Sequence, residues 1–150
     1  MLETAKMKYL RLFVILLLAL ILNSCDSESF EAESQRQIRN MMYEISSDFC
    51  LGNVYGILDK VHNDYLHKGQ IVWHLNQEIL DRLARFQLLE IEVIHIEFQG
   101  ERFATVHSRD HYQSSIENVY YSEPEASGIF SYLKRENGKW LIYGNQMWIK

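Results

Sequence analysis

The sequence contains little cysteine, little proline and no excess of basic residues. Its 2 cysteines are Cys25 and Cys50, too few for the disulfide framework that stabilises many small secreted domains. The only proline, Pro124, belongs to a loop or to the edge of a sheet, because proline cannot donate a ladder hydrogen bond. The formal net charge of −5 argues against a nucleic-acid-binding protein, which requires a basic surface.

Long apolar runs are also absent, with one exception near the N-terminus. Leu12–Leu22 is an uninterrupted run of 11 apolar residues that follows Lys6, Lys8 and Arg11. A helix rises about 1.5 Å per residue, so this run spans roughly 16 Å of a hydrocarbon core that is about 30 Å thick. The charged residues followed by a short apolar run predict a cleaved secretory signal over residues 1–24.

The end of this run resembles the lipobox of bacterial lipoproteins. Leu22-Asn23-Ser24-Cys25 is an aliphatic residue, two small residues and the cysteine that such proteins acylate. The resemblance implies cleavage before Cys25, which would then carry diacylglycerol and a further chain such as palmitate and hold the protein on a bilayer. The alternative is an ordinary cleaved signal with an incidental cysteine. Either Met1 or Met7 suits the start of such a signal.

The lipobox resemblance also sets the expected location. We expect a lipid-anchored protein of the cell envelope, at the outer membrane in preference to the inner membrane, with the leaflet left open. Its membrane partner would be lipid, contacted through the acylated Cys25.

The chain after the leader is long enough for one domain. Residues 25–33 are acidic and rich in serine, so we expect a flexible tether there. Residues 34–150 then form a single domain, because about 100 to 150 residues is the usual size of one. Without the leader the chain has 12 basic and 19 acidic side chains, a formal charge of −7.

Three helices are predicted in the first half of this domain. The first starts at Ser34 with a capping box and carries an apolar stripe at helical spacing. Asn53 caps a short second helix, which is followed by a polar loop at 62–70 and a short strand at 71–74. Asn76 then caps the third helix. The stripe residues are Ile38, Met41, Met42, Ile45 and Phe49 in the first helix, Val54, Ile57, Leu58 and Val61 in the second, and Ile79, Leu80, Leu83 and Phe86 in the third.

The apolar period changes to two after residue 87, which predicts strands. Leu88–Phe98 and Arg102–Gln113 form one hairpin across a turn that contains glycine. Ile129–Arg135 and Lys139–Trp148 form a second hairpin across an Asn-Gly turn. Residues 118–121 are a further candidate strand.

Helices followed by a long antiparallel sheet predict an α+β fold. Four segments in this order make the chain similar to the nuclear transport factor 2-like superfamily, including its SnoaL-like members. The resemblance implies N-terminal helices packed in a strongly curved antiparallel sheet, a cone-shaped, cystatin-like α+β barrel with a pocket at its open end. That fold hosts isomerases, dehydratases, epoxide hydrolases, binding modules and dimeric adaptors, so it does not assign a function. The segments are the break at Gly52, residues 62–66 (HNDYL), residues 100–106 (GERFATV) and residues 137–142 (NGKWLI).

Asp110 is the candidate catalytic residue. The resemblance implies that the side chains of Ala104 and Val106 face the inside of the cone. Because side chains alternate along a strand, those of Asp110 and Tyr112 should face the same side, toward the mouth of the cone. A carboxylate buried there is a candidate general base with a raised pKa. The alternative is an aspartate in solvent or paired with a neighbouring cation.

Further side chains are expected to line the same mouth. If side chains alternate along a strand that starts at Trp140, Gln146 and Trp148 face inward beside Asp110. An aromatic pocket with one carboxylate and one amide suits a small, mostly apolar ligand. The alternative is that these aromatic residues only fill the core. The pocket candidates are Tyr112, Tyr132, Gln146, Trp148, His62, Asp64 and Tyr65.

The six histidines do not form a recognisable metal-binding pattern. His107 and His111 share one strand face, but at about 3.3 Å per residue they are roughly 13 Å apart, too far for one ion. We therefore predict no metal and no cofactor, and we expect Cys50 to be a small buried side chain. One metal site stays open as an alternative, combining His62, Asp64, His67 and His74.

Three functional hypotheses follow from these residues. The first is a non-enzymatic, membrane-tethered domain whose pocket binds a small apolar molecule or a peptide. The second is an isomerase, dehydratase or cyclase in which Asp110 is the base and Tyr112, Gln146 or a histidine from 62–74 orients the substrate. The third is a module that forms a homodimer or binds another envelope protein, which predicts an apolar patch of more than a few hundred Å² on residues 129–148.

Overall fold

The computed structural model describes residues 29–147 of the chain. The predicted leader at 1–24, the acylation site Cys25 and the pocket candidate Trp148 lie outside the described residues. Within 29–147, no helix is both long enough and apolar enough to span a membrane.

The first helix, α1, spans Phe30–Cys50. Ser29 is its N-cap, and the Ser29 hydroxyl accepts a hydrogen bond from the Ala32 backbone N–H at 3.3 Å. The predicted start at Ser34 is therefore wrong, and Ser34 is a buried helical residue rather than a cap. The predicted apolar stripe is confirmed, since all five of its members are buried: Ile38, Met41, Met42, Ile45 and Phe49.

Phe30 accounts for the early start of α1. Its ring lies 6.0 Å from the ring of Phe98 and 6.5 Å from that of Trp140, measured between centroids. These contacts stabilise an additional helical turn, because they move aromatic surface out of water. The tether predicted for 25–33 is therefore wrong over residues 30–33, which are helical.

A second, short helix follows a sharp turn, as the sequence predicts. Gly52 has φ of +67°, a conformation that glycine adopts readily, and α2 spans Val54–Leu58. The Asn53 side chain caps α2 by accepting a hydrogen bond from the Gly56 backbone N–H at 3.1 Å.

The segment predicted as a polar loop is instead a small hairpin. Strands β1, Leu66–His67, and β2, Gln70–Ile71, pair antiparallel across a turn at Lys68 and Gly69, which have φ of +50° and +81°. The His67 ring at this hairpin is fully buried, so the loop prediction is wrong here because of a long-range contact that the local composition does not reveal.

The third helix, α3, spans Val72–Arg85. The strand predicted at 71–74 and the cap predicted at Asn76 are both wrong, because the helix begins before them. Starting at Val72 places Leu75 on the same buried side as Ile79, and this packing outweighs the strand preference of the first residues.

Five strands form one antiparallel sheet that curls strongly around α1. Strands β3, β4, β6 and β7 are neighbours in that order, and β5 pairs with the C-terminal half of β4. The predicted α+β fold and the first predicted hairpin are confirmed. The strand bounds are Leu88–Gln99 for β3, Phe103–Gln113 for β4, Asn118–Glu123 for β5, Tyr132–Glu136 for β6 and Lys139–Ile142 for β7.

Strand β7 ends earlier than the sequence predicts. Gly144 has φ of +78°, and a Cβ at this position would lie 2.3 Å from the carbonyl oxygen of Leu66. The chain therefore leaves the sheet after Ile142 and forms a 3-10 turn at Asn145–Met147. The period-two alternation fails beyond Ile142, so Gln146 is not on the inner face of a strand.

Helix α1 also covers the free edge of β3. Three of its side chains, spaced so that they share one helix face, bond to backbone groups of that edge. The pairs are Arg39 to the Val93 carbonyl at 2.8 Å, the Ile91 N–H to Ser46 at 3.2 Å, and Cys50 to the Leu89 carbonyl at 3.8 Å. Cys50 is exposed, so the prediction that it is buried is wrong: its thiol lies along the edge and not inside the cone.

Candidate functional site

A cleft of about 250 Å³ lies between α3 and the end of the sheet. It opens where β4 ends, at the mouth of the cone, beside the strand β5. Both charged and aromatic side chains form its walls. They are Glu78, Asp81, Arg82, Arg85, Phe86, Tyr112 and Tyr121.

Arg82 forms the floor of this cleft. Helical spacing places it on the same side of α3 as the buried Ile79 and Phe86, so its guanidinium is directed toward the sheet. One Nη donates to the Tyr112 hydroxyl, and the other donates to Glu78 at 2.7 Å.

The same Nη of Arg82 also donates to the Ser127 hydroxyl, at 3.0 Å. Arg82 thereby connects α3, β4 and the β5–β6 loop. Because these partners come from three different elements, the guanidinium is held in one orientation at the floor of the cleft.

Tyr112 is buried, with 0% of its surface exposed, and it lies at the bottom of the cleft. Burial raises the pKa of Tyr112 above its usual value, so the phenol stays protonated at neutral pH. The hydroxyl accepts from Arg82, which leaves its own hydrogen available as a donor.

Asp110 lies two residues deeper than Tyr112 on the same inner face of β4, as the alternation predicts. It is 3% exposed, and the Ser108 hydroxyl donates to its Oδ1 at 2.7 Å. Burial raises the pKa of Asp110 to about 6; the Ser108 hydrogen bond opposes this rise and the Glu123 carboxylate adds to it. Asp110 is therefore a carboxyl that can exchange a proton near neutral pH, but it does not line the cleft.

The β5–β6 loop is held against the cone by Glu123, a buried carboxylate at the end of β5. Its oxygens accept hydrogen bonds from the Ser127 backbone N–H at 3.1 Å, from the Ser127 hydroxyl at 2.8 Å and from the Gly128 N–H. Gly128 has φ of +69° and a Cβ there would lie 3.1 Å from a carbonyl oxygen, so the loop requires glycine.

His67 supports the same loop from below. Its Nε2 donates to the Ser127 carbonyl at 2.7 Å, and burial lowers the pKa of His67, so the ring is neutral. Its Nδ1 then carries a lone pair that has no partner among residues 29–147. The predicted pocket residues Tyr65 and Tyr132 lie on this ring, at centroid distances of 6.4 and 5.7 Å, rather than in the cleft.

The remaining sequence-predicted pocket residues do not meet at the cleft. His62 is buried at the closing hairpin, where its Nε2 lies 3.1 Å from the Lys134 ammonium and 3.2 Å from the Glu136 carboxylate. The Asp64 side chain is 75% exposed. Gln146 donates to the Asp64 carbonyl at 2.6 Å, which closes the C-terminal turn onto this segment.

Glu78, Arg82 and Glu123 are not among the residues that the sequence predicts for the site. Arg82 has a detectable signal, because it continues the buried stripe of α3 and Glu78 stands one helical turn before it. Glu123 has none, since its partners come from a loop whose path depends on tertiary packing.

No cluster of three or more potential ligands between residues 29 and 147 could hold a metal ion. The four residues left open as a metal site do not converge: His67 bonds the Ser127 carbonyl, and His74 accepts from the Ile71 N–H at 3.3 Å. His107 and His111 point outward, and lie 3.7 Å from Glu97 and Glu90 respectively.

The apolar patch expected on residues 129–148 is not found in its described part, 129–147. Of the large apolar and aromatic residues there, only Met147 is exposed. Tyr132, Leu141 and Tyr143 are half-buried, and the rest are buried: Ile129, Phe130, Leu133, Trp140 and Ile142. A homodimer stays a prediction, without this patch to support it.

Comparison with known proteins identifies the fold but not a family. No protein-family model matches the sequence. No curated protein matches it significantly. Solved structures do match: an NTF-2 like protein of unknown function from Shewanella oneidensis MR-1 superimposes with a TM-score of 0.57 at 10% identity, over 73% of this chain and 94% of that one. The fold is nuclear transport factor 2-like.

Two further structures with the nuclear transport factor 2-like architecture are described as candidate enzymes. A candidate scytalone dehydratase from Novosphingobium aromaticivorans has a TM-score of 0.55 at 15% identity, over 77% of this chain and 83% of that one. A candidate ketosteroid isomerase from Shewanella frigidimarina has a TM-score of 0.51 at 16% identity, over 72% and 91%. At these identities the likeness shows the fold alone.

Proposed function

We propose that this domain binds a small ligand in the cleft between α3 and the sheet and carries out no reaction there. The observation that carries the proposal is the fixed floor of the cleft, formed by Arg82 and Tyr112 beneath aromatic walls. A cleft of about 250 Å³ suits a molecule smaller than a drug, since drug-sized sites span about 300–1,000 Å³.

Asp110 is not placed to act as a base on a ligand in the cleft. A general base must come within hydrogen-bond reach of the proton that it removes, about 2.6–3.2 Å. Asp110 lies deeper than Tyr112 and does not border the cleft, and it accepts its hydrogen bond from Ser108 rather than from a histidine or tyrosine.

Native mass spectrometry of the protein purified from its own host tests this proposal. Tyr121 on β5 borders the cleft, whereas its neighbour Tyr120 faces the other side of the sheet and is 59% exposed. We expect the wild-type protein and the Tyr120→Ala control to retain a small molecule that Tyr121→Ala loses. Empty wild-type protein, or equal occupancy in both variants, would contradict the proposal.

A second candidate function is proton transfer by Asp110, and its raised pKa of about 6 favours it. In that case any identified turnover should fall by about 100-fold or more in Asp110→Asn, the usual contribution of a positioned general base. The rate should also show an ionisation near pH 6. Full turnover by Asp110→Asn would end this candidate.

We also propose that the domain works on a membrane, tethered through an acylated Cys25. The chain extends by at most about 3.5 Å per residue, so Cys25 would lie within roughly 18 Å of Phe30, where α1 begins. Phe49, near the other end of α1, packs on Tyr112 of the cleft at 5.7 Å between ring centroids, and a helix of 21 residues is about 30 Å long. The tether would therefore be attached at the opposite end of α1 from the cleft.

Labelling with a fatty acid tests the tether. Wild-type protein should incorporate labelled palmitate and sediment with membranes, whereas Cys25→Ser should do neither. Cys50→Ser is the matched control and should behave as wild type. A mature protein that begins elsewhere than at an acylated Cys25 would overturn the tether without affecting the cleft.

A further inference from the structure

The charges around the cleft do not cancel. Glu78 neutralises Arg82, to which it is bonded at 2.7 Å. Arg85 is paired with Glu117, outside the cleft wall, at 3.2 Å. The Asp81 side chain is exposed and has no ion-pair or hydrogen-bond partner between residues 29 and 147, so one carboxylate at the rim is left without a counter-charge.

Two more carboxylates lie behind the floor. Asp110 and Glu123 are both buried, and both interact electrostatically with Tyr112 at the floor of the cleft. The cleft itself is lined by two acids, Glu78 and Asp81, and by two arginines. Around it, Glu117, Asp110 and Glu123 outnumber the nearby cation Lys68, whose Nζ donates to the Ser127 carbonyl at 3.1 Å, so the surroundings are net negative. A concave site with low-dielectric walls focuses this negative field, which attracts cations and repels anions.

The aromatic walls of the cleft also favour a positively charged ligand. The guanidinium carbon of Arg82 lies 5.0 Å from the Tyr112 ring centre, and that of Arg85 lies 5.0 Å from the Phe86 ring centre. The faces of these rings already accept cations. The Tyr121 ring borders the cleft with no cationic side chain of residues 29–147 over it, so it is the surface left for a ligand cation.

We infer that the ligand of this cleft is a small organic cation, an ammonium group carried on a compact apolar body. This inference rests on the proposed function of the cleft. The ammonium pairs with Asp81 and lies over the Tyr121 ring, and the apolar body packs against the other aromatic walls of the cleft. A ligand carboxylate would instead have to compete with Glu78 or Glu117 for an arginine while facing Asp81.

Three probes of nearly the same shape test the charge: 2-phenylethylamine, 2-phenylethanol and phenylacetate. Their affinities for the full chain in detergent are measured by calorimetry at pH 7.5. We expect the amine to bind at least about tenfold tighter than the other two, from one ion pair and one cation–π contact. Asp81→Asn should reduce the amine affinity about threefold and leave the alcohol unchanged. Glu101→Gln, an exposed acid on the β3–β4 turn, is the control and should change neither.

The outcomes distinguish two claims: that the ligand is a cation, and that ligands bind in the cleft. Equal binding of the three probes, or no binding of the amine at millimolar concentration, overturns the cationic class. If Tyr121→Ala still weakens whichever probe binds, the cleft remains the binding site. If Tyr121→Ala leaves the amine affinity unchanged, the amine does not bind in the cleft and the inference falls, whereas the proposed function is decided by native mass spectrometry of the same variant.

Discussion

Arg82 contacts Tyr112 in two ways: one Nη donates to the tyrosine hydroxyl, and the guanidinium carbon lies 5.0 Å from the centre of the ring. This pair joins α3 to β4 at the point where the cone opens. Its position makes it both a structural connection and the floor of the cleft, so substitutions there should affect stability as well as binding.

Loss of the Arg82 guanidinium should destabilise the fold. Arg82→Met keeps the aliphatic stem but leaves Glu78, Ser127 and Tyr112 without their shared donor, which we expect to cost on the order of 2–3 kcal/mol in the free energy of unfolding. Urea denaturation measures this. Arg85→Met on the same helix is the control; its ion pair is exposed, so its cost should stay below about 1 kcal/mol. Equal costs would contradict the role given to Arg82.

Asp110 should make stability depend on pH in a specific direction. Its folded pKa of about 6 lies above the ordinary 3.8, so the folded state holds the proton more tightly than the unfolded state. The stability that this proton contributes is complete below about pH 4 and is lost as the pH rises through 6.

Asp110→Asn keeps a neutral side chain at every pH and can still accept from Ser108. At pH 8 we expect the variant to be more stable than wild type by on the order of 2–3 kcal/mol, the equivalent of a shift of about two pKa units. At pH 4 the two should be nearly equal. Urea denaturation at both pH values checks this, and a difference that does not change with pH would contradict the buried, proton-holding carboxyl.

Replacing Gly144 should destabilise the protein more than replacing Gly100. Gly144→Ala meets the Leu66 carbonyl at 2.3 Å and adopts a positive φ, so we expect a loss of about 2–4 kcal/mol. Gly100→Ala has a similar φ of +65° but open space around its Cβ, and should lose about 1 kcal/mol. Thermal and urea unfolding of the two variants measure the difference in stability loss. Equal losses would show that Gly144 does not lie close to the Leu66 carbonyl.

Phe30 should contribute to stability although it lies in a segment with the composition of a tether. Phe30→Ala removes contacts to Phe98 and Trp140 and should cost about 1–3 kcal/mol, less than a fully buried phenylalanine. Tyr43→Ala on the same helix is 75% exposed and should cost under about 0.5 kcal/mol. An equally small effect for Phe30→Ala would place the start of the folded domain after it.

The sequence predicts those parts of the fold that depend on local periodicity. The stripe from Ile38 to Phe49 repeats at 3.6 residues and the strands β3 and β4 alternate at two, so both are correctly predicted. The inward direction of Asp110 follows from the same alternation. These features need no knowledge of distant residues.

The parts that the sequence does not predict depend on contacts between distant segments. Strand β7 ends where Leu66 approaches Gly144, 78 residues away in the numbering, and this removes Gln146 from the predicted pocket. The cleft itself is assembled from α3, β4 and β5. Its floor, Arg82, is visible in the sequence only as a charged residue on an otherwise apolar stripe.

The position of a bound ligand is the sharpest test of the proposed binding cleft. A crystal structure of the protein purified from its own host should show density between α3 and β5, in contact with Tyr121 and above Arg82. Density only in the larger groove of about 610 Å³ along α1 and β3, beside Cys50 and Val93, would contradict the account.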